Sequence, residues 1–268
     1  MLFRSHDVLE LAVPALVVVG VAMLIPLACF PVLHKLGRLP RSDAASIAAH
    51  YGSVSVVTFA VASSFLASRA VPADGYMTVF LALLELPALL VGVFLARRGQ
   101  GQVQWSTLLH EVLAGKSIVL LAGGLLIGWL AGADGIRPLD RVFFDLFKGM
   151  LAFFLLEMGL VAAGRLGDLR RAGPFLVAFA VLAPICAGLL GVLTAGFLGF
   201  SLGNAVLLAT LYASASYIAA PAAMRIAVPE ANPALSIGAS LGITFPFNLM
   251  AGIPLYHWLA THLQGVLS

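Results

Sequence analysis

Charge is what this sequence has least of. Only 10% of its 268 residues are Asp, Glu, Lys or Arg, against about 25% in ordinary soluble domains. Because 61% of the residues are hydrophobic, a soluble fold of this size could not cover its surface with polar groups. Two cysteines exclude a disulfide framework, and 27 glycines and 14 prolines without a short repeat exclude a fibrous protein. The class that remains after these exclusions is a membrane protein with several transmembrane segments.

The apolar segments are continuous runs, and the mean hydropathy is +1.05. Runs of about 20 residues are what a helix needs to cross ~30 Å of hydrocarbon, whereas a barrel would show alternating segments of about ten residues. The sequence therefore predicts an all-α polytopic membrane protein with about eight transmembrane helices. The expected spans lie near residues 9–34, 44–68, 75–96, 117–133, 142–164, 173–199, 203–224 and 236–261.

Both cysteines, Cys29 and Cys186, fall inside apolar runs, so we expect them to be small buried hydrophobic residues. The first span could also be taken for a signal peptide, since Arg4 precedes it and a Leu-Ala-Cys sequence occurs at 27–29. Pro26 and the length of the apolar stretch argue against that alternative.

Lys and Arg are distributed unequally over alternate loops, which predicts the orientation. One side carries four such residues. The other side carries ten, namely Lys35, Arg38, Arg41, Arg97, Arg98, Lys116, Arg165, Arg170, Arg171 and Arg225. This places the central connection in the cytoplasm and both termini on the opposite side. It also explains the pI of about 9.1 without a basic face, so no nucleic acid is expected as a partner.

The sequence matches itself at an offset of 161 residues. Ser53 and Ser55 fall on Ser214 and Ser216, and the Glu-Leu-Pro sequence at 85–87 falls on Pro-Phe-Asn at 246–248. Spans 1–3 thus correspond to spans 6–8. Because five spans separate the copies, they must have opposite orientations, as in the inverted repeats of secondary transporters. We expect three plus five helices of a five-plus-five architecture, with broken helices in spans 2 and 7.

The candidate site consists of small polar stretches within spans 2 and 7. Helix-breaking residues are tolerated there only where the freed backbone lines a cavity or packs on protein. Two such breaks, with their N–H groups and positive dipole ends facing each other, predict an anion site near the midplane. The expected substrate-binding residues are Ser53, Val54, Ser55, Ser214, Ala215, Ser216 and Tyr217. The alternative is that these small residues are only close helix-packing surfaces.

A coupling cation is expected at Glu85, Asn248 and Thr58. A carboxylate inside a span is costly and marks a functional pathway, although a protonated or hydrogen-bonded interface acid is the alternative for Glu85. Glu157 is interpreted as structural or gating, and His50 as a hydrogen-bonded packing residue. Asp145 and Lys148, three residues apart, are expected to form an ion pair. No group has metal-ligand spacing.

At these residues the sequence resembles the sodium-dependent bicarbonate transporter family of cyanobacterial carbon-concentrating systems. The resemblance covers nearly the whole chain. Its motifs are Gly-Ser-Val-Ser at 52–55, Glu-Leu-Pro-Ala-Leu at 85–89, Ala-Ser-Ala-Ser-Tyr-Ile at 213–218, Pro-Glu-Ala-Asn-Pro at 229–233 and Ile-Gly-Ala-Ser at 237–240. It implies ten helices, a core domain moving against a gate domain, bicarbonate between the broken helices and Na⁺ nearby. It also implies a homotrimer and a PII-like cytosolic regulator.

The resemblance assigns residues 1–98 to an incomplete first repeat of core helices, 99–116 to the cytoplasmic connection, 117–166 to a gate-type helix pair and 167–268 to core helices of the second repeat. The sequence departs from the family pattern at four positions. Glu85 stands where cyanobacterial members have an aspartate, Tyr217 replaces another aspartate, and Val56 and Val57 replace a Gly-Ser pair. The resemblance also leads us to expect that the family's first two helices, which belong to the gate domain, are absent from this chain.

The resulting hypothesis is a sodium-coupled anion symporter of the inner membrane, with bicarbonate as the expected substrate and Na⁺ as the coupling ion rather than a bound cofactor. Two alternatives stay open: a binding or sensor module that no longer transports, and a transporter of another small anion. An enzyme is not expected, because the sequence has no nucleophile paired with a base.

Overall fold

The computed structural model describes residues 8–98, 116–139, 141–142, 146–164 and 166–267, together with residues 106, 110 and 114. Within this part of the chain the regular structure is helical and no strand occurs. The predicted ion pair of Asp145 and Lys148 lies outside the residues whose side chains are described.

The helices follow one another along the chain with short connections on either side of the central segment. They are α1 (Val8–Pro31), α2 (Arg41–Gly52), α3 (Val56–Ser68), α4 (Met77–Arg97), α5 (Lys116–Ile136), α6 (Leu146–Gly164), α7 (Leu166–Phe197), α8 (Leu202–Ala213), α9 (Ala219–Ala227), α10 (Pro233–Ala239), α11 (Phe245–Phe247) and α12 (Ile253–Leu267). A 3₁₀ turn spans Arg137–Leu139, and π-helical turns span Val32–Leu36, Ser240–Thr244 and Asn248–Gly252.

Five segments of the described chain are long and apolar enough to cross a membrane. They are Leu11–Leu36, Arg41–Ser68, Met77–Arg97, Gly173–Phe197 and Pro233–Leu263. Three shorter apolar helices, Val119–Gly132, Gly149–Val161 and Leu202–Ala213, lie at the positions of the other three predicted spans. The all-α, polytopic architecture predicted from the sequence is confirmed.

The internal repeat is visible in the geometry. Helices α2 and α8 each have 12 residues, are related by the same offset of 161, and end at serines with extended backbone, Ser53 and Ser214. The tyrosines just before these ends form hydrogen bonds with residues of the other copy. The Tyr212 hydroxyl donates to the Val18 carbonyl of α1 at 2.6 Å. The Tyr51 hydroxyl lies 2.6 Å from that of Thr244, which donates to the Ala180 carbonyl of α7 at 2.6 Å.

Within each copy, small residues allow the helices to pack closely around the break. A Cβ at Gly92 of α4 would collide with the Ala49 side chain of α2. A Cβ at Gly191 of α7 would lie 2.5 Å from the Cα of Ala209 in α8. Such close approach positions α2 and α8 within the buried core, where α2 is buried from Asp43 to Gly52 and α8 from Gly203 to Ala213.

Helices α5 and α6 are the least buried of the described helices. Leu120, Leu130, Phe153 and Leu160 on these two helices are each about 70% exposed (74, 70, 72 and 69%). In hydrocarbon such apolar side chains face a solvent as apolar as themselves, so their exposure carries no hydrophobic cost.

The structure corrects one detail of the sequence interpretation. Cys29 is buried as expected, but Cys186 is exposed, and an exposed thiol needs no protein cover where the surroundings are apolar. The last span is not one continuous α-helix. π-Helical turns precede Pro246 and Pro254, because a proline has no N–H for the regular i→i−4 bond and its ring crowds the preceding turn.

Candidate functional site

The two predicted breaks are present, and each contains two serines. After α2 the chain is extended at Ser53 and again at Ser55, whose hydroxyl oxygen accepts a hydrogen bond from the Thr58 N–H at 3.2 Å and so caps α3. After α8 the break is repeated, and the Ser216 hydroxyl oxygen accepts from the Ala220 N–H of α9 at 3.1 Å. Ser55 is the N-cap of α3, a position where serine is preferred. The N-cap of α9 is Ile218, and Ser216 lies two residues before it.

The two breaks cross and satisfy each other's backbone. The Ser55 N–H donates to the Ser214 hydroxyl at 3.0 Å, and the Ser216 N–H donates to the His50 carbonyl at 2.9 Å. Broken helices leave orphan backbone groups that hydrocarbon cannot satisfy. Here each break supplies partners for the other, so the crossing is a fixed structural unit.

A cavity of about 370 Å³ opens beside the crossing. Both breaks, the Glu85 side chain and apolar side chains of α5 and α6 form its walls. The lining residues are Val54, Ser55, Val56, Val57, Glu85, Leu120, Leu121, Phe154, Ser216, Tyr217, Ile218 and Ala219. Because the first residues of α3 and α9 are among them, the positive ends of two helix dipoles face one cavity.

Three residues that carry hydroxyls line this cavity, namely Ser55, Ser216 and Tyr217. Ser55 and Ser216 use their oxygens as acceptors for the capping bonds, so each retains a proton that it can donate to a bound anion. The Tyr217 hydroxyl is buried and has no hydrogen-bond partner within 3.5 Å, although Ser55 lies close enough to interact with it. The cavity therefore offers donors for a small oxyanion.

Glu85 brings negative charge to the same wall. Its side chain is only 2% exposed, and Oε2 has no hydrogen-bond partner. Its backbone carbonyl accepts from the Ser53 hydroxyl at 3.2 Å, which ties α4 to the first break. A buried carboxylate without a partner is unfavourable unless a proton or a cation joins it, so this position suits a cation that enters with the anion.

Other predicted site residues hold the crossing rather than line the cavity. The Ser53 hydroxyl donates to the backbone carbonyl of Glu85, and the Ser214 hydroxyl donates to that of Leu211. Ala215 is buried beside them. Their assignment to substrate binding stays a prediction.

Two of the predicted cation residues are also engaged with protein groups. The Thr58 hydroxyl donates to that of Ser55 at 3.0 Å. Asn248 donates to the Ala213 carbonyl at 2.9 Å, and its side-chain oxygen accepts from the Tyr256 hydroxyl at 2.7 Å. These contacts fix the ends of both breaks, and a role in cation binding stays a prediction.

Three wall residues could not be recognised in the sequence. Leu120, Leu121 and Phe154 close the cavity on the α5 and α6 side, but apolar residues in apolar spans carry no signal of their own. Glu157, the other acid within a span, is exposed on α6 and does not line the cavity. Among the described residues, no three His, Cys, Asp or Glu side chains are grouped as metal ligands.

Two broken helices that cross within oppositely oriented repeats define a membrane transporter of the inverted-repeat kind. The chain belongs to the Na⁺-dependent bicarbonate transporter superfamily, which it matches over residues 2–261. No curated protein matches the chain. The family resemblance inferred from the serine motifs is confirmed.

Proposed function

We propose that the protein is a sodium-coupled symporter that takes up bicarbonate across the inner membrane by alternating access. The basic end of the molecule, which carries Arg41, Arg97 and Arg225, faces the cytoplasm in this proposal. The family relationship supports Na⁺ and bicarbonate as the transported ions.

One observation carries the proposal, namely the convergence of opposite electrostatic features on one cavity. The N-termini of α3 and α9 and the Ser55 and Ser216 hydroxyls favour an anion, whereas the unpartnered Glu85 carboxylate favours a cation. Neither ion binds well alone, because each would leave an uncompensated charge inside the membrane. Bound together, they neutralise the site, which couples their transport.

Alternating access requires that one wall of the cavity moves against the other. The crossed breaks form one wall, and side chains of α5 and α6 form the opposite wall. We propose that α5 and α6 act as the gate and that the crossing carries the ions as a rigid unit. Assembly as a homotrimer and control by a PII-like protein are carried forward as proposals from the resemblance alone.

Uptake of labelled bicarbonate into proteoliposomes tests the proposal. With a Na⁺ gradient, uptake should exceed that of protein-free vesicles and should fall to their level when K⁺ replaces Na⁺. Undiminished uptake in K⁺ would refute the coupling, and an absence of uptake by protein verified in the vesicles would refute the substrate.

Glu85→Gln should abolish the stimulation by Na⁺, because the amide keeps the shape of the side chain and removes its charge. Glu157→Gln is the matched control, since this acid also lies within a span but is exposed on α6. Equal loss in both variants would contradict a coupling role for Glu85. Saturable bicarbonate binding without flux would instead assign a binding or sensor role, and flux of a different small anion would redefine the substrate.

A further inference from the structure

A second, smaller cavity lies between the crossing and the basic end of the molecule. It contains about 80 Å³ and is bounded by α2, α9 and the segment that leads into α10. Its polar lining consists of Ser46, His50, Arg225 and Ser236, and it shares no lining residue with the central cavity. About 10–15 Å³ of such space is enough for one water, so the four heavy atoms of a small oxyanion fit.

His50 defines the chemistry of this cavity. The residue is fully buried, and its Nδ1 lies 2.7 Å from the Ser46 carbonyl oxygen. Because a carbonyl only accepts, Nδ1 must carry a hydrogen, so in the neutral ring Nε2 is a bare acceptor. Nε2 has no hydrogen-bond partner. With Nδ1 turned back to its own helix, Nε2 is the ring atom directed away from α2.

The cavity thus combines a buried acceptor with a cationic side chain, Arg225, which is exposed at its mouth. A simple anion such as chloride or nitrate would satisfy the arginine and leave His50 without a donor. Bicarbonate satisfies both, since its carboxylate oxygens accept from the guanidinium and its O–H donates to Nε2. We propose that this cavity is a second bicarbonate site that selects the protonated oxyanion.

The position of His50 connects this site to the central one. His50 is a lining residue of the small cavity, and its backbone carbonyl accepts from the Ser216 N–H of the second break. Bicarbonate that leaves the crossing toward the basic end therefore meets an acceptor and an arginine before it reaches water. The choice of bicarbonate as occupant rests on the proposed function, whereas the demand for an anion with its own O–H rests on His50 and Arg225.

The test follows the His50 ring directly. The full chain, labelled with ¹⁵N-histidine, is placed in nanodiscs, and the His50 signal is assigned by its absence from His50→Gln. Sodium bicarbonate and sodium nitrate are titrated at equal Na⁺ concentration and pH. The Nε2 signal should move with bicarbonate and stay in place with nitrate. It should still move in Glu85→Gln, whose substitution lies in the central cavity.

Arg225→Gln should raise the bicarbonate concentration at half-shift by about tenfold or more, the loss expected for a charge-assisted hydrogen bond. Arg98→Gln is its matched control, since Arg98 is also exposed at the basic end but does not line the cavity. Three results would overturn the proposal: no shift with bicarbonate, which would assign only buried water; an equal shift with nitrate; or an unchanged midpoint in Arg225→Gln.

The outcomes separate the two proposals. A His50 shift without flux in proteoliposomes would support the second site and reject the symporter. Sodium-driven flux without a His50 shift would support the symporter and reject the second site.

Discussion

At the scale of single residues, the informative atoms are those without a partner. Among the described residues, His50 Nε2, Glu85 Oε2 and the Tyr217 hydroxyl are the buried side-chain atoms that make no hydrogen bond. Buried polar groups are nearly always paired, and inside a membrane an unpaired one is especially unfavourable. All three lie at the breaks or on the helix beside them, so the unfavourable groups are concentrated where ions are proposed to bind.

Tyr217→Phe tests whether the tyrosine hydroxyl is a ligand. The ring packs edge-on against Phe245, with centroids 5.1 Å apart, and phenylalanine keeps that contact. If the hydroxyl donates to the anion, the variant should raise the KM for bicarbonate by about tenfold, the lower end for a hydrogen bond to a charged group.

Tyr212→Phe provides the comparison for this measurement. The Tyr212 hydroxyl donates to the Val18 carbonyl within the core, so its loss should lower thermal stability and leave the KM unchanged. An unchanged KM in Tyr217→Phe would mean that Tyr217 serves packing alone.

At the scale of elements, the crossing depends on hydrogen bonds between segments far apart in sequence. Ser214 accepts from the Ser55 N–H and donates to the Leu211 carbonyl, so one hydroxyl joins the first break to the end of α8. Close packing at Gly92 and Gly191 keeps α2 and α8 in place around it.

Ser214→Ala should therefore destabilise the protein by about 1–3 kcal/mol, the cost of a buried N–H that loses its acceptor. Thermal unfolding of the purified protein would measure the loss. Ser63→Ala is the control, because that hydroxyl donates to the Phe59 carbonyl within its own helix, α3, and its loss should change the midpoint little. Equal midpoints in the two variants would show that the crossing does not depend on Ser214.

The sequence predicts the elements better than their contacts. The spans, the two breaks and the repeat offset follow from hydropathy and local motifs. Which serine caps, which one bridges and which one faces the cavity could not be predicted, because Ser53 and Ser214 are engaged by partners 32 and 159 residues away. His50 shows the same limit. The sequence predicts that His50 packs in the core. That its Nε2 atom has no hydrogen-bond partner depends on the residues of α9 and α10 that lie near it.

At the scale of the whole molecule, two groups of helices, the crossed breaks and the pair α5 and α6, line the central cavity. The proposed transport cycle moves one group against the other. Immobilising this boundary should stop transport without unfolding either group.

A cysteine pair at Val57 and Leu121, which line the cavity from α3 and α5, tests this movement after Cys29 and Cys186 are replaced by alanine. Joining the pair with a short bis-methanethiosulfonate reagent, which forms a disulfide with each cysteine, should abolish sodium-driven uptake, and a reductant should restore it. Cross-linked cysteines at Arg97 and Glu230, an ion pair of 3.3 Å on one side of the boundary, should leave uptake intact. Full uptake with the first pair joined would refute the movement.

The equal lengths of α2 and α8 have an electrical consequence. Twelve residues make a helix about 18 Å long, so the breaks lie near half the depth of a ~30 Å hydrocarbon layer. An ion at the crossing has thus passed through about half of the transmembrane voltage, which acts on each charge with about 2.3 kcal/mol per 100 mV over the full thickness. One Na⁺ with one bicarbonate carries no net charge, so the voltage neither drives nor opposes the pair. If a second Na⁺ moved in each cycle, the transported ions would carry one net positive charge, and the voltage over the same depth would act on that charge.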